Sequence, residues 1–221
     1  MKRLSKSRYT TSCQCPKALW LKVYKPDEAV VDAGVEARFE SGNEVGDLAM
    51  GLFGPFVEVT TQKEDGSLDL NAMISKTKQE MERGTEVICE ASFALDSHYC
   101  AVDILRKTET GYDFYEVKNS PEVHSQFIKD AGFQYYIMAR CKMKIGKIYI
   151  VIHGPDESDP FLPVDVTDEA KGYFTWINDH IWDLNRMQKG QDEIELEPGD
   201  QCTNPYECWY YGYCLGDVHN S

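Results

Sequence analysis

The sequence has no apolar run near the ~18 residues that a membrane span requires. No secretory pattern opens it: Met1-Lys2-Arg3 is basic, but Ser5-Lys6-Ser7-Arg8 interrupts any apolar continuation. Internal repeats and low-complexity linkers are absent. Positive charge is scarce, with 23 Lys and Arg against 37 Asp and Glu for a net charge of -14, which at first argues against a nucleic-acid partner. A close Cys-x-x-Cys pair, the usual mark of zinc ribbons and knuckles, is also missing. These absences predict a cytoplasmic protein with no membrane partner.

What is present fits one globular domain over 1–221, with 42% hydrophobic and 27% charged residues. The charge is unevenly spread. Residues 1–25 hold seven Lys and Arg and no acid, which leaves 16 bases against 37 acids in the rest. A basic segment on an acidic body can present one positive face to a phosphate backbone; a merely solubilising surface reads the same way. The eight cysteines lie at 13, 15, 89, 100, 141, 202, 208 and 214. Without an export signal, clustered cysteines point to metal or cluster binding rather than disulfides. Cys89, Cys100 and Cys141 sit inside apolar patterns and read as small buried hydrophobes.

Pro16 suits a first helical position, which makes Cys15 an N-cap where a thiolate is favoured by the helix dipole and by Lys17. A second helix spans about Val31 to Gly51, with Val35, Phe39, Val45 and Leu48 on its apolar side. Gly42 and Gly46, four apart, predict a close packing contact, with a sheet the natural neighbour. A short strand over Phe56–Thr60 and a helix over Asn71–Arg83, ended by Gly84, come next. Strands are predicted at Glu86–Leu95, His98–Lys107 and Tyr112–Lys118, then a helix over Val123–Arg140 and a strand over Lys144–His153. Thr167 is the expected cap of a last long helix carrying Phe174, Ile177, Ile181 and Leu184, closed by Gly190. Tight links make the three strands an antiparallel meander, and the helix after them allows a crossover. The fold class is therefore α/β, a sandwich around a small mixed sheet.

The charged residues on these strands carry the functional argument. Thr108-Glu109-Thr110-Gly111 is a turn signal, and a turn symmetric about its centre pairs residues whose numbers sum to 219. That register sets Asp103 opposite Glu116, on one face with Cβ atoms ~5 Å apart. Lys118, two residues on, shares the face. Two carboxylates that close repel unless a cation lies between them, and hard oxygen ligands suit Mg²⁺ or Mn²⁺. Such an ion would bind a scissile phosphate and activate a water, with the lysine orienting the water or stabilising charge on phosphorus. A cross-strand salt bridge explains the same residue types equally well. Glu90 on the preceding strand is a candidate third carboxylate, and Gln134, with Asp130 four residues earlier and Tyr135 beside it, a candidate phosphate or water contact.

An acid on one strand, acid-x-lysine on the next, then a helix with a glutamine, resembles the PD-(D/E)XK nuclease superfamily. The order helix, three strands, helix, strand matches its restriction-endonuclease-like core. Cys15 in Gln14-Cys15-Pro16-Lys17, with Cys202, Cys208 and Cys214, is similar to the RecB-like branch that carries a [4Fe-4S] cluster, which includes CRISPR-associated exonucleases and AddB-type nuclease domains. The likeness runs from Leu4-Ser5-Lys6-Ser7 to Cys214. It implies Asp103 and Glu116 as metal ligands with the Val117 carbonyl, Lys118 as catalytic lysine, and Gln134 as the glutamine of a Gln-x-x-x-Tyr motif. It also implies a structural cluster on Cys15, Cys202, Cys208 and Cys214 in a lobe of residues 1–30 and 195–221. Cys13 competes with Cys15 for the first position, and thiolate softness alone does not separate zinc from iron–sulfur.

Two positions depart from the family pattern. Met138 stands where the motif has tyrosine, and Gly46 follows Gly42-Asn43-Glu44-Val45 where many relatives have histidine. The expected function is a metal-dependent DNA exonuclease acting on single strands or ends, with Lys17 and Lys22 touching the DNA backbone. In the branch resembled, a helicase or CRISPR integrase works beside such a domain. The alternatives are a catalytically weak binding or assembly module of the same fold and a zinc-stabilised scaffold.

Overall fold

The computed structural model describes residues 4–31, 33–156, 158–187 and 192–216, without the side chains of 33–40, 182–183 and 185–187. In chain order the elements are β1 (Leu4–Ser5), α1 (Lys6–Gln14), α2 (Pro16–Tyr24), α3 (Ala33–Ala49), β2 (Val57–Glu58), α4 (Leu70–Arg83), β3 (Val87–Leu95) and β4 (His98–Lys107). They continue with β5 (Tyr112–Val117), α5 (Ser125–Arg140), β6 (Ile145–Asp156), β7 (Asp159–Asp165), α6 (Thr167–Gly172), α7 (Phe174–Met187) and α8 (Tyr211–Leu215). Two compact units result: Phe39–Ile177 with the segment that ends at Lys6, and Ser7–Arg38 with the chain from Asn178 onward. No helix among the described residues is long and apolar enough to cross a membrane.

The first unit is built on a mixed sheet of seven strands in the order β2-β3-β4-β5-β6-β7, with β1 beside β4. The expected meander is present, β3 to β4 to β5 being antiparallel, and α5 carries the chain across to β6, which lies parallel to β5. The hairpin register follows the turn. Ile104 faces Tyr115, Leu105 faces Phe114 and Lys107 faces Tyr112. Glycine is needed at 111, because a Cβ there would lie 2.2 Å from the Lys144 carbonyl oxygen. Val87, Cys89, Ile104, Tyr115 and Val151 pack with Ala49 and Met50 into one buried cluster. Asp69 caps α4 by accepting from the Ala72 N–H at 3.0 Å, and Gly84 closes it in the left-handed conformation, φ 80°.

Several expectations need correction. The sheet is larger than expected, because β1 is two residues long and shows no periodicity, whereas the short strand expected over Phe56–Thr60 is present as β2. The edge strand β7 contains Pro160 and Pro163, which an edge tolerates. Gly42 and Gly46 meet nothing within 4 Å, so they are not close-packing positions. Leu48 is 71% exposed; Ala49 and Met50 bury this end of the helix instead. Val35 and Phe39 lie outside the described side chains, and Gly190 outside the described residues. Thr167 does not cap a single long helix. Its hydroxyl accepts from the Ile148 N–H at 2.9 Å and donates to Asp165, while Asp165 takes the Thr167 N–H. The helix is broken at Tyr173 into α6 and α7, although Ile177, Ile181 and Leu184 are buried as their spacing predicts.

The second unit brings the two chain ends together. Cys15 caps α2, accepting from the Ala18 N–H, and Pro16 takes the first helical position. Ala18, Trp20 and Leu21 pack with Tyr210, Trp209, Tyr213 and Ile194. The Val30 N–H donates to the Trp209 carbonyl at 2.8 Å, and Gln14 Nε2 donates to the carbonyls of Gln201 and Tyr206 at 2.8 and 2.6 Å.

Candidate active site

One edge of β4 creates the site. β3 runs along the whole of the other edge, but this one is shared. β1 pairs at His98–Tyr99 and β5 at Ile104–Lys107. β1 runs with β4 and β5 against it, so the two approach end to end. The residues that follow them, Lys6 from β1 and Glu116 to Lys118 from β5, meet beside Asp103. There the strand ladder gives way to a side chain: Asp103 Oδ2 accepts the Val117 N–H at 2.6 Å.

Glu116 is the hub, with 1% of its side chain exposed. Its Oε1 accepts from Lys118 Nζ at 2.7 Å and from Lys6 Nζ at 2.8 Å, and its Oε2 accepts from Gln134 Nε2 at 2.6 Å. Lys6 Nζ is also 3.9 Å from Asp103 Oδ1. α5 supplies two residues one turn apart, so both face the sheet. Gln134 reaches Glu116, and Asp130 Oδ2 accepts from Lys118 Nζ at 2.6 Å. Asp130 Oδ1 and Gln134 Oε1 are buried with no hydrogen-bond partner among the described residues. A buried acceptor without a donor is costly, and both belong to side chains bonded into the charged cluster through their other polar atom.

Glu90 completes a row across three strands. Cys89 faces Ile104 and Ala91 faces Val102, which sets Glu90 level with Asp103, as Asp103 is level with Glu116. Its backbone is left-handed at φ 57°, uncommon for a non-glycine residue and a conformation that costs ~1–3 kcal/mol.

The charges are far from balanced. Among the described residues, Asp103, Glu116, Asp130 and Glu90 face two cations, Lys6 and Lys118, so the fully ionised cluster would hold two uncompensated negative charges. Burial and the neighbouring Glu116 push the Asp103 carboxyl up to about 6, and burial with Asp103 pushes Glu90 up to about 7. Burial acts on Glu116 in the same direction, but the Lys118 and Lys6 ammoniums hold it down at about 2. Burial raises Asp130 despite Lys118. Burial also opposes the charge on both lysines, and the surrounding carboxylates outweigh it and raise each of them.

Among the described residues, no three His, Cys, Asp or Glu side chains are placed as a ready-made metal site. Mg²⁺ and its like commonly take only one or two carboxylates and fill the rest with water and substrate oxygens. Asp103 and Glu116 supply two carboxylates, a cation already lies between them in the form of the Lys6 ammonium, and the cluster is deficient by two positive charges. The donor set fits a divalent ion.

Of the expected residues, Asp103, Glu116, Lys118 and Gln134 come together directly, and Glu90 adjoins Asp103. Val117 enters through its N–H. Two others join them without an expected role. Asp130 has a sequence signal, its spacing of four from Gln134. Lys6 has none, since it lies 110 residues from Glu116 and its delivery depends on a two-residue strand. The position of the expected tyrosine, Met138, is fully buried in the core.

In the second unit Cys208 and Cys214 are pushed up chiefly by burial; Cys15 and Cys202 push each in the same direction, and Cys214 adds to this at Cys208. A bond from the Cys208 N–H to the Cys202 carbonyl, 2.7 Å, folds the last segment back on itself. These are soft donors of the kind that hold iron–sulfur clusters or zinc. Lys17 and Lys22 are both engaged, Lys17 with Glu193 at 3.4 Å and Lys22 over the Trp209 ring at 5.1 Å.

No protein-family model matches the chain, and no curated protein is significantly similar to it. Among solved structures it is similar to LHK-Exo in complex with dAMP, at 11% identity and a TM-score of 0.45, over 85% of this chain and 90% of that one. It is also similar to the alkaline exonuclease LHK-Exo from Laribacter hongkongensis, at 10% identity and a TM-score of 0.35, over 80% and 96%. Likeness at this level leaves the functional reading to the residues themselves.

Proposed function

We propose that the chain is a metal-dependent nuclease that hydrolyses phosphodiester bonds in DNA, acting on single strands or ends, and that its second unit carries a structural [4Fe-4S] cluster. One observation carries the nuclease reading: Asp103 and Glu116 share an interstrand position, already hold a cation between them, and have Lys118 fixed at the same oxygen. A structural salt bridge needs one lysine for one carboxylate. This cluster gathers four carboxylates around two lysines, with Glu116 and Asp130 buried and Asp103 and Glu90 partly so, a costly arrangement for stability alone.

A divalent ion at Asp103 and Glu116 supplies Lewis acidity and lowers the pKa of an attacking water. The remaining roles belong to the chain. Glu116 keeps its orientation through Lys118 on one oxygen and Gln134 on the other. Asp103 is held to the Val117 N–H. Lys118 presents its ammonium between Glu116 and Asp130, where it can orient a water or stabilise negative charge on phosphorus. Gln134 fixes the second Glu116 oxygen, and its own carbonyl oxygen remains as an acceptor for a water. Lys17 and Lys22 serve as backbone contacts only by exchanging Glu193 and the Trp209 face for phosphate.

The cluster reading rests on four thiols gathered in one unit by the two ends of the chain. The nuclease reading is tested by incubating linear and covalently closed DNA with Mn²⁺ and measuring acid-soluble nucleotide. Release from linear DNA alone, lost in Glu116→Gln, is the expected result. Absence of Mn²⁺-dependent release from any DNA refutes the proposal.

A further inference from the structure

We infer that Lys6 is a built-in occupant of the metal position: its ammonium neutralises the Asp103–Glu116 pair in the metal-free protein and withdraws when a divalent ion binds. The inference rests on the metal reading above and adds a residue that the reading does not require. Glu116 Oε1 already accepts from Lys118 at 2.7 Å, yet a second ammonium, Lys6, lies 2.8 Å from the same oxygen. Two like charges on one oxygen repel. Lys6 is nevertheless held there because it also reaches toward Asp103, 3.9 Å away, and so sits in the space between the two carboxylates.

The two lysines differ in how they are held. Lys118 is clamped from the far side by Asp130 at 2.6 Å, and the ring of Phe127 lies 5.4 Å beneath its ammonium. The Lys6 side chain is 28% exposed, against 19% for Lys118. Its backbone is tethered, since the Leu4 N–H donates to the Ser97 carbonyl at 2.7 Å and Leu4 is 1% exposed. A four-carbon stem on a fixed backbone lets the ammonium move while the strand stays. Withdrawn, it remains beside the site, where a phosphate oxygen is a suitable partner.

Competition for one position has a measurable sign. Removing the resident ammonium while keeping side-chain bulk, as in Lys6→Met, should tighten Mn²⁺ binding about tenfold or more, because one unit charge a few ångströms away no longer opposes the ion. The titration is read by the loss of the free Mn²⁺ electron-spin-resonance signal, with Asp103→Asn as the control that should not bind. A second measurement uses the unaltered protein. Reductive methylation of Lys6, followed by mass spectrometry, should rise when Mn²⁺ is added, since the expelled ammonium faces solvent. If Lys6→Met binds Mn²⁺ no more tightly than the natural chain, or if Lys6 labelling is unchanged under saturating Mn²⁺, the inference is wrong while the metal site stands. If neither protein binds Mn²⁺, the metal reading and the inference fall together.

Discussion

Two carboxylates that touch the same lysine carry opposite signs of pH dependence. Asp103, pushed up to about 6, is harder to ionise in the fold than in the unfolded chain. From the ordinary carboxylate range up to about 6 the folded protein keeps a proton that the unfolded chain has released. This group's contribution to stability therefore declines as pH rises through that window, and the full penalty is present above it. Glu116, held down at about 2, contributes stability that is present above the ordinary range and lost only as pH falls through about 2. In metal-free protein at pH 8, Asp103→Asn should melt above the natural chain and Glu116→Gln below it. The Asp103→Asn advantage should close by about pH 4. Melting curves at the two pH values check both signs. Asp130 is a positioning residue for Lys118. Asp130→Asn should lower kcat by about 10- to 100-fold, as loss of an outer partner typically does, with KM little changed; steady-state kinetics separates the two. The charged row was legible because a turn read from Thr108 to Gly111 fixes which residues of the next strand lie opposite. Lys6 was not, because no local pattern ties it to a residue 110 positions away.

At the scale of elements, the meander and its crossover helix were readable because long strands and α5 carry clear periodicity and tight or helical connections. β1 is too short to show a period, β2 lies within the short strand expected over Phe56–Thr60, and β7 is masked by its prolines. A helix does begin at Thr167, but the residue is not its cap for a physical reason: the type suits a cap, while the hydroxyl is already committed to the Ile148 N–H. The hairpin turn is the element on which the site most depends. Gly111→Ala would place a methyl 2.2 Å from the Lys144 carbonyl oxygen. The hairpin must shift or open, at a cost of about 1–3 kcal/mol, and a register slip would turn Asp103 away from Glu116. The expected outcome is a lower denaturant midpoint together with loss of Mn²⁺ binding, read by equilibrium unfolding and by the same spin-resonance titration.

For the molecule as a whole, the two chemistries are lodged in different units, carboxylates and lysines in the first, thiols in the second. The thiol set is what the family resemblance implies, and the choice of Cys15 over Cys13 gains support from its buried capping position on α2. Cys15→Ser should lower the iron content and the melting temperature of protein purified without oxygen, and Cys13→Ser should leave both unchanged; metal analysis with a visible spectrum checks this. The central claim concerns the first unit, and one measurement bears on it most directly: single-turnover cleavage of end-labelled linear single-stranded DNA with Mn²⁺, comparing the natural chain with Lys118→Ala. The expected result is Mn²⁺-dependent product from the natural chain and about a hundredfold or more slower cleavage by a Lys118→Ala protein that still binds the ion. Equal cleavage by the two proteins, or no cleavage by the natural chain while it holds Mn²⁺, would contradict it.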